Sequence, residues 1–459
     1  MRDSTLFAGL TDIVGNRHLL TDPESLQRFG LDRTDFWTPK PCAAVLPASV
    51  DEVRDIVRLA NRHRLAIVPS GGRTGLSGGA VAANGELVLS LQRMDSILEV
   101  DTVGRSLRCG AGVVTGHVHQ AARENGFYFP VDFASSGSSQ IGGNVATNAG
   151  GIRVIRYGMM RHWVQGLKVV TGAGDVLDLN RGLIKNNTGL DFRQLFIGSE
   201  GILGVICEVT LGLAEPPPPG QVMVFGLPDY DALMALLGEA RRQLTLSAFE
   251  FFSDNALGHV LARFDLKAPF SQRYPCYGLL EFDRNDDAAL SLFRYLQEQG
   301  IRADAVISHS DEQVASLWAL RENITESLSA RQPWKQDIAV PIPVVPDFIR
   351  DVGGLIESEY SPLEAVWFGH VGDGNLHLNI LKPATWDMED FVAQCRRLMM
   401  SVLEKVQSCG GSISAEHGVG LLKKPFLQYS RESAEVELMR RVKAAFDPAG
   451  IMNPGKVFD

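Results

Sequence analysis

Hydrophobic positions along the chain alternate between helical and strand spacing. The segment SVDEVRDIVRLANRHRLAIVP, from Ser49, has Val53, Ile56, Val57 and Ala60 at helical spacing, so we predict a capped helix that runs into a short buried strand. In the second half, helices are predicted over 229–244, 286–299, 311–330 and 387–408 and strands over 277–282 and 365–368. This mixture predicts an α+β domain whose sheet forms the floor of a binding site.

Three glycine-rich stretches interrupt the pattern. They are PSGGRTGLSGGA at 69–80, PVDFASSGSSQIGGNVATNAGGIR at 130–153, and FIGSEGILGVICEVTLGL at 196–213. Glycine allows positive φ and a close approach of backbone amides to a ligand, although a tight turn alone also explains the first stretch. Neither a Walker motif nor GxGxxG before a long helix is present, which disfavours an ATPase and a nicotinamide-binding fold. The second stretch is predicted to be a long functional loop, and three such loops indicate one extended ligand.

Length and proline content predict the domain division. At 459 residues the chain is expected to contain at least two domains. The four prolines of EPPPPG, 215–220, cannot continue a helix or a strand and form a stiff spacer. We therefore predict a first domain over 1–214, a linker over 215–220 and a second domain from 221.

Composition excludes several classes of protein. The net charge is −10 and no run of Lys or Arg is present, which disfavours binding to nucleic acid. The six cysteines form no CxxC pair, so neither a zinc ribbon nor a disulfide framework is indicated. The first residues lack a signal core, and no apolar run approaches the roughly 18 residues of a membrane span. We expect a soluble cytoplasmic protein without a transmembrane segment.

The stretch WFGHVGDGNLHLNI, 367–380, is the strongest candidate for chemistry. Two strand-like ends flank a turn at 372–374, which predicts a β-hairpin. His370 and His377 are seven positions apart and would face opposite sides of one straight strand, but the turn can bring both imidazoles together. Asn379 shares the face of His377, while Leu378 and Ile380 point into the core.

A metal site is predicted from this hairpin and the later segment SISAEHGVG. His370, His377 and Glu416 would provide three ligands and leave one position open, which is the pattern of a catalytic zinc site. Manganese, cobalt or iron also suit these ligand types. The alternative is that the histidines are polar residues with no ligand role.

The motifs together resemble the vanillyl-alcohol oxidase/p-cresol methylhydroxylase family. PSGGRTGLSGG, IGGNVATNAGG and GSEGILGVI resemble its flavin-binding half, and HVGDGNLHLNI and AEHGVG resemble its D-2-hydroxyacid dehydrogenase branch. The resemblance spans essentially the whole chain. It implies an α+β fold, with a two-part FAD-binding domain and an α+β substrate or cap domain with an antiparallel sheet.

The resemblance also implies the cofactor residues. The loops are expected to hold FAD, and the candidate residues are Pro69, Ser70, Gly71, Gly72, Arg73, Thr74, Gly75, Leu76, Asp132, Ser136, Gly137, Gly142, Gly143, Thr147, Asn148, Gly150, Gly151, Glu200, Gly201, Ile206 and Asn453. Members with covalent flavin often carry a histidine in the first loop, whereas this chain has neither His nor Cys there, so FAD is expected to be non-covalent. The cap domain is expected over 221–430, and 431–459 is expected to return to the flavin domain.

The same resemblance implies the substrate residues. Arg321 and Thr325 lie four apart on a predicted helix and share one face, although a surface pair or an ion pair between Arg321 and a glutamate is by itself the more frequent explanation of this spacing. Lys335 precedes a strand, where lysine is usually solvated. The family motif covers all three residues and makes them substrate anchors, and two cations suit a substrate with two carboxylates.

The expected reaction is oxidation of a D-2-hydroxy acid. The metal would hold the α-hydroxyl and His417 would act as the general base, while Asn379 orients the substrate. D-2-hydroxyglutarate, oxidised to 2-oxoglutarate, is the predicted substrate, with D-malate, D-lactate and glycolate as alternatives. Electrons are expected to pass to an electron-transfer flavoprotein or a quinone. A homodimer is one possible oligomeric state. A His₂Glu metallohydrolase and a flavoprotein electron-transfer subunit are the rival functions.

Overall fold

The computed structural model describes residues 4–34 and 36–459. By contacts the chain divides into two compact units. Unit 1 contains 1–151, 158–216 and 416–459, and unit 2 contains 152–157 and 217–415. The strands, in chain order, are β1 Leu19–Leu20, β2 Ala43–Val45, β3 Ile67–Ser70, β4 Leu87–Ser90, β5 Ile97–Asp101, β6 Ser106–Gly110, β7 Val164–Thr171, β8 Val176–Leu179, β9 Gly204–Gly212, β10 Gly220–Leu227, β11 Leu246–Ser253, β12 Cys276–Asp283, β13 Asp304–Ile307, β14 Trp334–Ala339, β15 Glu364–Gly369 and β16 Asn375–Leu381.

The helices vary from one turn to six turns in length. In chain order they are α1 Ser4–Val14, α2 Pro23–Phe29, α3 Val50–His63, α4 Thr115–Glu124, α5 Ile141–Ala146, α6 Val154–Tyr157, α7 Met160–Trp163, α8 Arg193–Phe196, α9 Tyr230–Gln243, α10 Asp254–Arg263, α11 Asp286–Glu298, α12 Asp311–Glu322, α13 Ile324–Leu328, α14 Val345–Glu359, α15 Met388–Ser408 and α16 Ser433–Phe446. Short 3₁₀ helices occupy Asn16–His18, Ser329–Arg331, Ile342–Val344 and Lys424–Tyr429.

Unit 1 contains two sheets. The first has the order β1-β2-β4-β3, with β2 and β3 parallel to β4. The second has the order β5-β6-β9-β7-β8 and is antiparallel throughout. Helix α3 begins as predicted, because the Ser49 side chain accepts a hydrogen bond from the Glu52 amide and caps the first turn. Its apolar stripe is buried in the core that it shares with both sheets.

Unit 2 is built on one seven-stranded antiparallel sheet. Its order is β13-β10-β12-β11-β15-β16-β14, which places the hairpin β15–β16 between β11 and β14. Helices α9, α11, α12 and α15 begin with Asp, Asn or Ser caps close to the predicted positions. The antiparallel sheet of the cap is therefore present as expected.

One predicted helix is wrong. The segment 311–330 forms two helices, α12 and α13, which are separated at Asn323, and a 3₁₀ turn follows. The break matters because Arg321 lies in the last turn of α12 while Thr325 belongs to α13. The two residues therefore do not share a face of one continuous helix.

The second glycine-rich stretch is also more ordered than a plain loop. Its 141–146 part forms α5, and Ile141 and Val145 are fully buried. The sequence prediction missed this helix because Gly142 and Gly143 lower helix propensity, whereas burial of the two apolar side chains offsets that loss.

The end of this stretch belongs to unit 2 rather than to the first domain. Arg153 donates two hydrogen bonds to the Glu281 carboxylate, at 2.8 and 3.1 Å, and Arg156 pairs with Asp283. The later change of unit falls between Ala415 and Glu416. The bounds 221–430 and 431–459 remain a prediction about folding domains.

Candidate active site

The first and second glycine loops of unit 1 pack directly against each other. A Cβ atom added to Gly72 would lie 2.2 Å from the carbonyl oxygen of Ser138, so this contact excludes any side chain. A Cβ atom on Gly71 would lie 3.7 Å from the Cα atom of Gly143. Gly151 approaches the Asp132 carbonyl equally closely, because its added Cβ would lie 2.2 Å away. The glycines therefore allow three backbone segments to meet.

The same loops leave open space and unsatisfied polar atoms. Added Cβ atoms at Gly137 and Gly143 would meet nothing within 4 Å among the described residues. Ser70 Oγ and Gln140 Oε1 are buried and have no hydrogen-bond partner within the part of the chain that the structure describes. Buried polar atoms are normally paired, so a ligand with donors and acceptors fits this place. These observations fit a bound flavin nucleotide.

Glu200 anchors the third loop. Its backbone is left-handed, with φ 49°, and its carboxylate accepts hydrogen bonds from the amides of Val419 and Gly420 at 2.7 and 2.8 Å. Burial raises the pKa of the carboxyl, and the two amides act in the opposite direction. Asn453 Nδ2 donates to the carbonyls of Glu200 and Gly79 at 2.7 and 3.0 Å. The side chains of Glu200 and Asn453 thus connect distant segments of the chain by hydrogen bonds. Asn453 Oδ1 is buried and, like Ser70 Oγ and Gln140 Oε1, has no partner in the described residues.

All candidate flavin residues lie in unit 1. Arg73 has a left-handed backbone, with φ 56°, and its guanidinium lies 4.7 Å from the centre of the Phe29 ring. The Ser136 hydroxyl donates to Asp132 at 2.7 Å. The remaining candidates lie in or beside the three loops: Pro69, Thr74, Gly75, Leu76, Gly142, Thr147, Asn148, Gly150, Gly201 and Ile206.

In unit 2 the hairpin brings the two histidines together. The ring centres of His370 and His377 are 5.3 Å apart and the rings are nearly perpendicular. Gly374 makes the turn possible, because it has φ 84° and an added Cβ would lie 2.3 Å from the carbonyl oxygen of Val340. Leu378 and Ile380 are fully buried on the other face of β16, as the alternation predicts.

Each histidine lies opposite a buried carboxylate on a neighbouring strand. Asp337 of β14 is the register partner of His377, and the Nδ1–Oδ1 distance is 3.9 Å. In the antiparallel pair of β11 and β15, Phe251 is the register partner of Gly369. The preceding residue, Glu250, therefore lies opposite His370, with 2.7 Å between His370 Nδ1 and Glu250 Oε1. Sequence reasoning missed both acids. The available signal was an acidic residue inside the apolar segment AFEFF and another directly before the apolar run of QDIAV.

The hairpin turn adds another buried acid. Asp373 Oδ1 accepts a hydrogen bond from the Asn375 amide at 3.2 Å. Burial raises the pKa of Asp373 to about 6, while His370 lowers it and Glu250 raises it further. The pair of histidines is thus surrounded by carboxylates, a setting that favours a cation.

Ligand atoms for a metal come together at this hairpin. Glu416 is the first residue of the last segment of unit 1 and directly follows Ala415, the last residue of unit 2. The ligand atoms of His370, His377 and Glu416 lie within 4.8 Å of one another. A second group, Asp337, Glu416 and His417, meets the same distance limit. Hydrogen bonding of a ligating histidine to a carboxylate through its other nitrogen is a recurrent feature of metal sites, and it favours the first group.

The predicted substrate anchors differ in their surroundings. Arg321 is buried, forms an ion pair with Glu250 at 2.8 Å and lies 4.7 Å from the Phe368 ring centre. Thr325 is exposed. Lys335 is the register partner of Asn379, so it shares the sheet face that carries His377. Lys335 is exposed, although neighbouring atoms desolvate it enough to lower its pKa, and no carboxylate lies within ion-pair distance of it in residues 4–34 and 36–459.

The glycine loops of unit 1 and the paired histidines of unit 2 are the features from which the sequence predicted a flavoprotein oxidoreductase. The chain matches the family model for FAD linked oxidases, C-terminal domain, over residues 216–457, and the model for an FAD binding domain over 41–180. The chain therefore belongs to the FAD-linked oxidase family and is an FAD-dependent dehydrogenase.

The chain is also similar to individual enzymes with assigned names. The chain is 52% identical over 462 residues to D-2-hydroxyglutarate dehydrogenase of Stutzerimonas stutzeri, with 100% of both chains covered. It is 52% identical to the enzyme of the same name from Xanthomonas citri pv. viticola, covering 96% of this chain and 94% of the relative. A putative mitochondrial D-lactate dehydrogenase of Schizosaccharomyces pombe is 38% identical, with 95% and 85% covered.

The solved structure of p-cresol methylhydroxylase with substrate bound superposes with a TM-score of 0.77 at 14% identity, covering 99% of this chain and 96% of that chain. The fold is thus that of the vanillyl-alcohol oxidase/p-cresol methylhydroxylase family, as the sequence motifs predicted. Within the described residues, no helix is both long and apolar enough to cross a membrane.

Proposed function

We propose that this protein oxidises D-2-hydroxyglutarate to 2-oxoglutarate with non-covalent FAD and a divalent metal, for which zinc is the first candidate. The main observation for the substrate is Lys335, an exposed cation on the sheet face of His377 that has no acidic partner among the described residues. A lysine without an acidic partner on this face can donate to a carboxylate of an anionic ligand, so an anionic substrate suits this place. The two relatives at 52% identity that bear this enzyme's name support the same substrate.

A second cation is available for the second carboxylate. Arg321 Nε is buried and has no hydrogen-bond partner in the described chain, although its Nη2 pairs with Glu250. A guanidinium held on one side by Glu250 can still donate to a carboxylate on the other. Arg321 and Lys335 would then divide the two carboxylates of D-2-hydroxyglutarate between them, and the exposed Thr325 would add a hydroxyl donor.

When bound, FAD supplies a hydride acceptor and the divalent ion supplies a Lewis acid that lowers the pKa of the α-hydroxyl. His370, His377 and Glu416 would hold the ion. An imidazole nitrogen of His417 would take the hydroxyl proton, since an unperturbed pKa of about 6.5 suits a base at neutral pH. Asn379, buried beside Lys335, would orient the substrate.

The decisive experiment compares substrates by anaerobic bleaching of the flavin absorbance. D-2-hydroxyglutarate should reduce the FAD, and Lys335→Gln should lower kcat/KM for it about 10- to 100-fold, which corresponds to a lost hydrogen bond to a charged group. D-lactate lacks the distal carboxylate, so its slower reduction should be little changed by Lys335→Gln. Lys405→Gln is the matched control, because Lys405 pairs with Asp351 elsewhere in the same unit.

Other outcomes would favour different members of the class. Equal reduction by D-lactate and D-2-hydroxyglutarate would contradict the two-cation argument and favour the activity named for the yeast relative. Reduction by D-malate as well would indicate a broader dicarboxylate range. Flavin that no D-2-hydroxy acid bleaches would support an electron-transfer subunit. Reoxidation of the reduced enzyme by an electron-transfer flavoprotein or by a quinone would identify the acceptor, for which both are proposed.

A further inference from the structure

Glu250 is a buried carboxylate inside an apolar strand. It is the only charged residue of β11, LSAFEFFS, and its side chain is 1% exposed. An ionised carboxylate in such surroundings is strongly unfavourable unless it is paired and hydrogen-bonded. The groups that pair with Glu250 therefore indicate why the residue is present.

The two carboxylate oxygens bind two different elements of unit 2. Oε1 lies 2.7 Å from Nδ1 of His370, just after β15, and Oε2 forms an ion pair with Nη2 of Arg321, in the last turn of α12, at 2.8 Å. The angles of this second contact are not those of a hydrogen bond, so attraction between the two charges connects Arg321 to Glu250. The side chain of Arg321 is 9% exposed and lies against the Phe368 ring. Glu250 thus connects a proposed metal ligand to a proposed substrate anchor through a single side chain.

This arrangement fixes the histidine and the arginine together. When Nδ1–H of His370 donates to Glu250, the ring is held in the tautomer whose Nε2 carries a lone pair instead of a proton, the form in which an imidazole binds a metal ion. The second oxygen holds Arg321 with its Nε still unpaired among the described residues. Movement of either partner would leave the buried carboxylate half satisfied, so the two positions depend on each other.

We propose that Glu250 is a positioning residue that couples the metal-binding orientation of His370 to the carboxylate-binding orientation of Arg321. The inference rests on the proposed function, since it concerns the same metal and substrate. It predicts that a change at Arg321, which is not a metal ligand, weakens metal binding before any substrate is present.

Asp337 provides a matched comparison. It lies opposite His377 at the longer distance of 3.9 Å and accepts a hydrogen bond from Asn375 Nδ2 at 2.8 Å. Asp337→Asn changes the carboxylate beside the other histidine. It should weaken metal binding without removing the dependence of metal affinity on Arg321.

The test measures metal affinity in the FAD-loaded, metal-stripped protein by zinc titration against a chromophoric chelator, without substrate. Glu250→Gln should weaken zinc binding about 10- to 100-fold, the range typical of residues that orient metal ligands. The glutamine amide can accept from His370, but its NH₂ group then faces the donors of Arg321. Arg321→Gln alone should weaken zinc binding about threefold or more, and it should add little in the Glu250→Gln background, because the link is already broken.

Kinetics provide a second readout. Glu250→Gln should raise KM for D-2-hydroxyglutarate and lower kcat, whereas a purely structural ion pair would change only the thermal unfolding temperature. Wild-type zinc affinity in folded, yellow Glu250→Gln protein would overturn the inference while leaving the proposed function intact. If that variant does not fold, Arg321→Gln decides, and unchanged zinc affinity there overturns the coupling. A wild-type protein that binds no zinc overturns both the coupling and the zinc part of the proposed function.

Discussion

Substitution of Gly143 by valine tests whether the open space between the glycine loops holds FAD. Gly143 lies inside α5 with a helical backbone, and an added Cβ would meet no described atom within 4 Å. The first loop is adjacent, since a Cβ on Gly71 would lie 3.7 Å from the Gly143 Cα. The added isopropyl group would therefore occupy space that the protein itself leaves open.

The expected size of the effect differs between the stability of the apoprotein and its affinity for FAD. Replacing glycine by valine inside a helix is favourable by a few tenths of a kcal/mol, so the free energy of unfolding of the apoprotein should change by less than about 0.5 kcal/mol. Overpacking a filled site typically costs about 1–3 kcal/mol. In FAD binding this corresponds to a Kd about 5- to 150-fold higher than that of the wild type.

The assay combines FAD titration of the apoprotein, followed by flavin fluorescence, with thermal unfolding. Gly353→Val is the matched control, because Gly353 lies inside α14 and also has no described atom within 4 Å of an added Cβ. Gly72→Val is a contrasting variant. Its Cβ would clash with the Ser138 carbonyl, so it should lower the stability of the apoprotein as well as FAD binding.

Wild-type FAD affinity in Gly143→Val would refute the reasoning, because the open space would then have no connection with the cofactor. Equal loss of FAD in Gly353→Val would show that the effect is not local to the loops. An unfolded Gly143→Val apoprotein would show that the space beside Gly143 cannot accommodate a valine side chain.

Three further predictions concern the cofactor, the metal and pH. Acid or heat denaturation should release all FAD into the supernatant, since the first loop offers no His or Cys to bond it; yellow precipitate would contradict this. Chelation should abolish oxidation of D-2-hydroxyglutarate while FAD stays bound, and alanine at His370, His377 or Glu416 should each lower metal content, whereas His417→Ala should retain the metal and lose the pH-dependent step. Burial lowers the pKa of Lys456 from 10.5 to about 8, so the folded state binds fewer protons than the unfolded state between these values. The free energy of unfolding should therefore rise with pH from about 8 to 10.5, by at most about 3 kcal/mol relative to Lys456→Met, and equal pH slopes for the two proteins would disprove this.

The local secondary-structure elements and the presence of an extended ligand could be predicted from the amino-acid sequence alone. Alternation of apolar residues predicted the strands on both sides of Gly372, and the predicted starts of helices at Ser49, Asp229 and Asp387 agree with the structure, because both kinds of element depend on neighbouring residues. The glycine clusters indicated backbone contact with an extended ligand, since only glycine permits the close approach seen at Gly72.

Tertiary structure decided what depends on partners distant in sequence. Burial of Ile141 and Val145 forms α5 in a segment of low helix propensity, and the break at Asn323 separates Arg321 from Thr325. Glu250 lies 120 positions before His370, so no local pattern connects them. Strand register places them opposite each other, and only the folded sheet shows that a buried acid connects the arginine to the histidine.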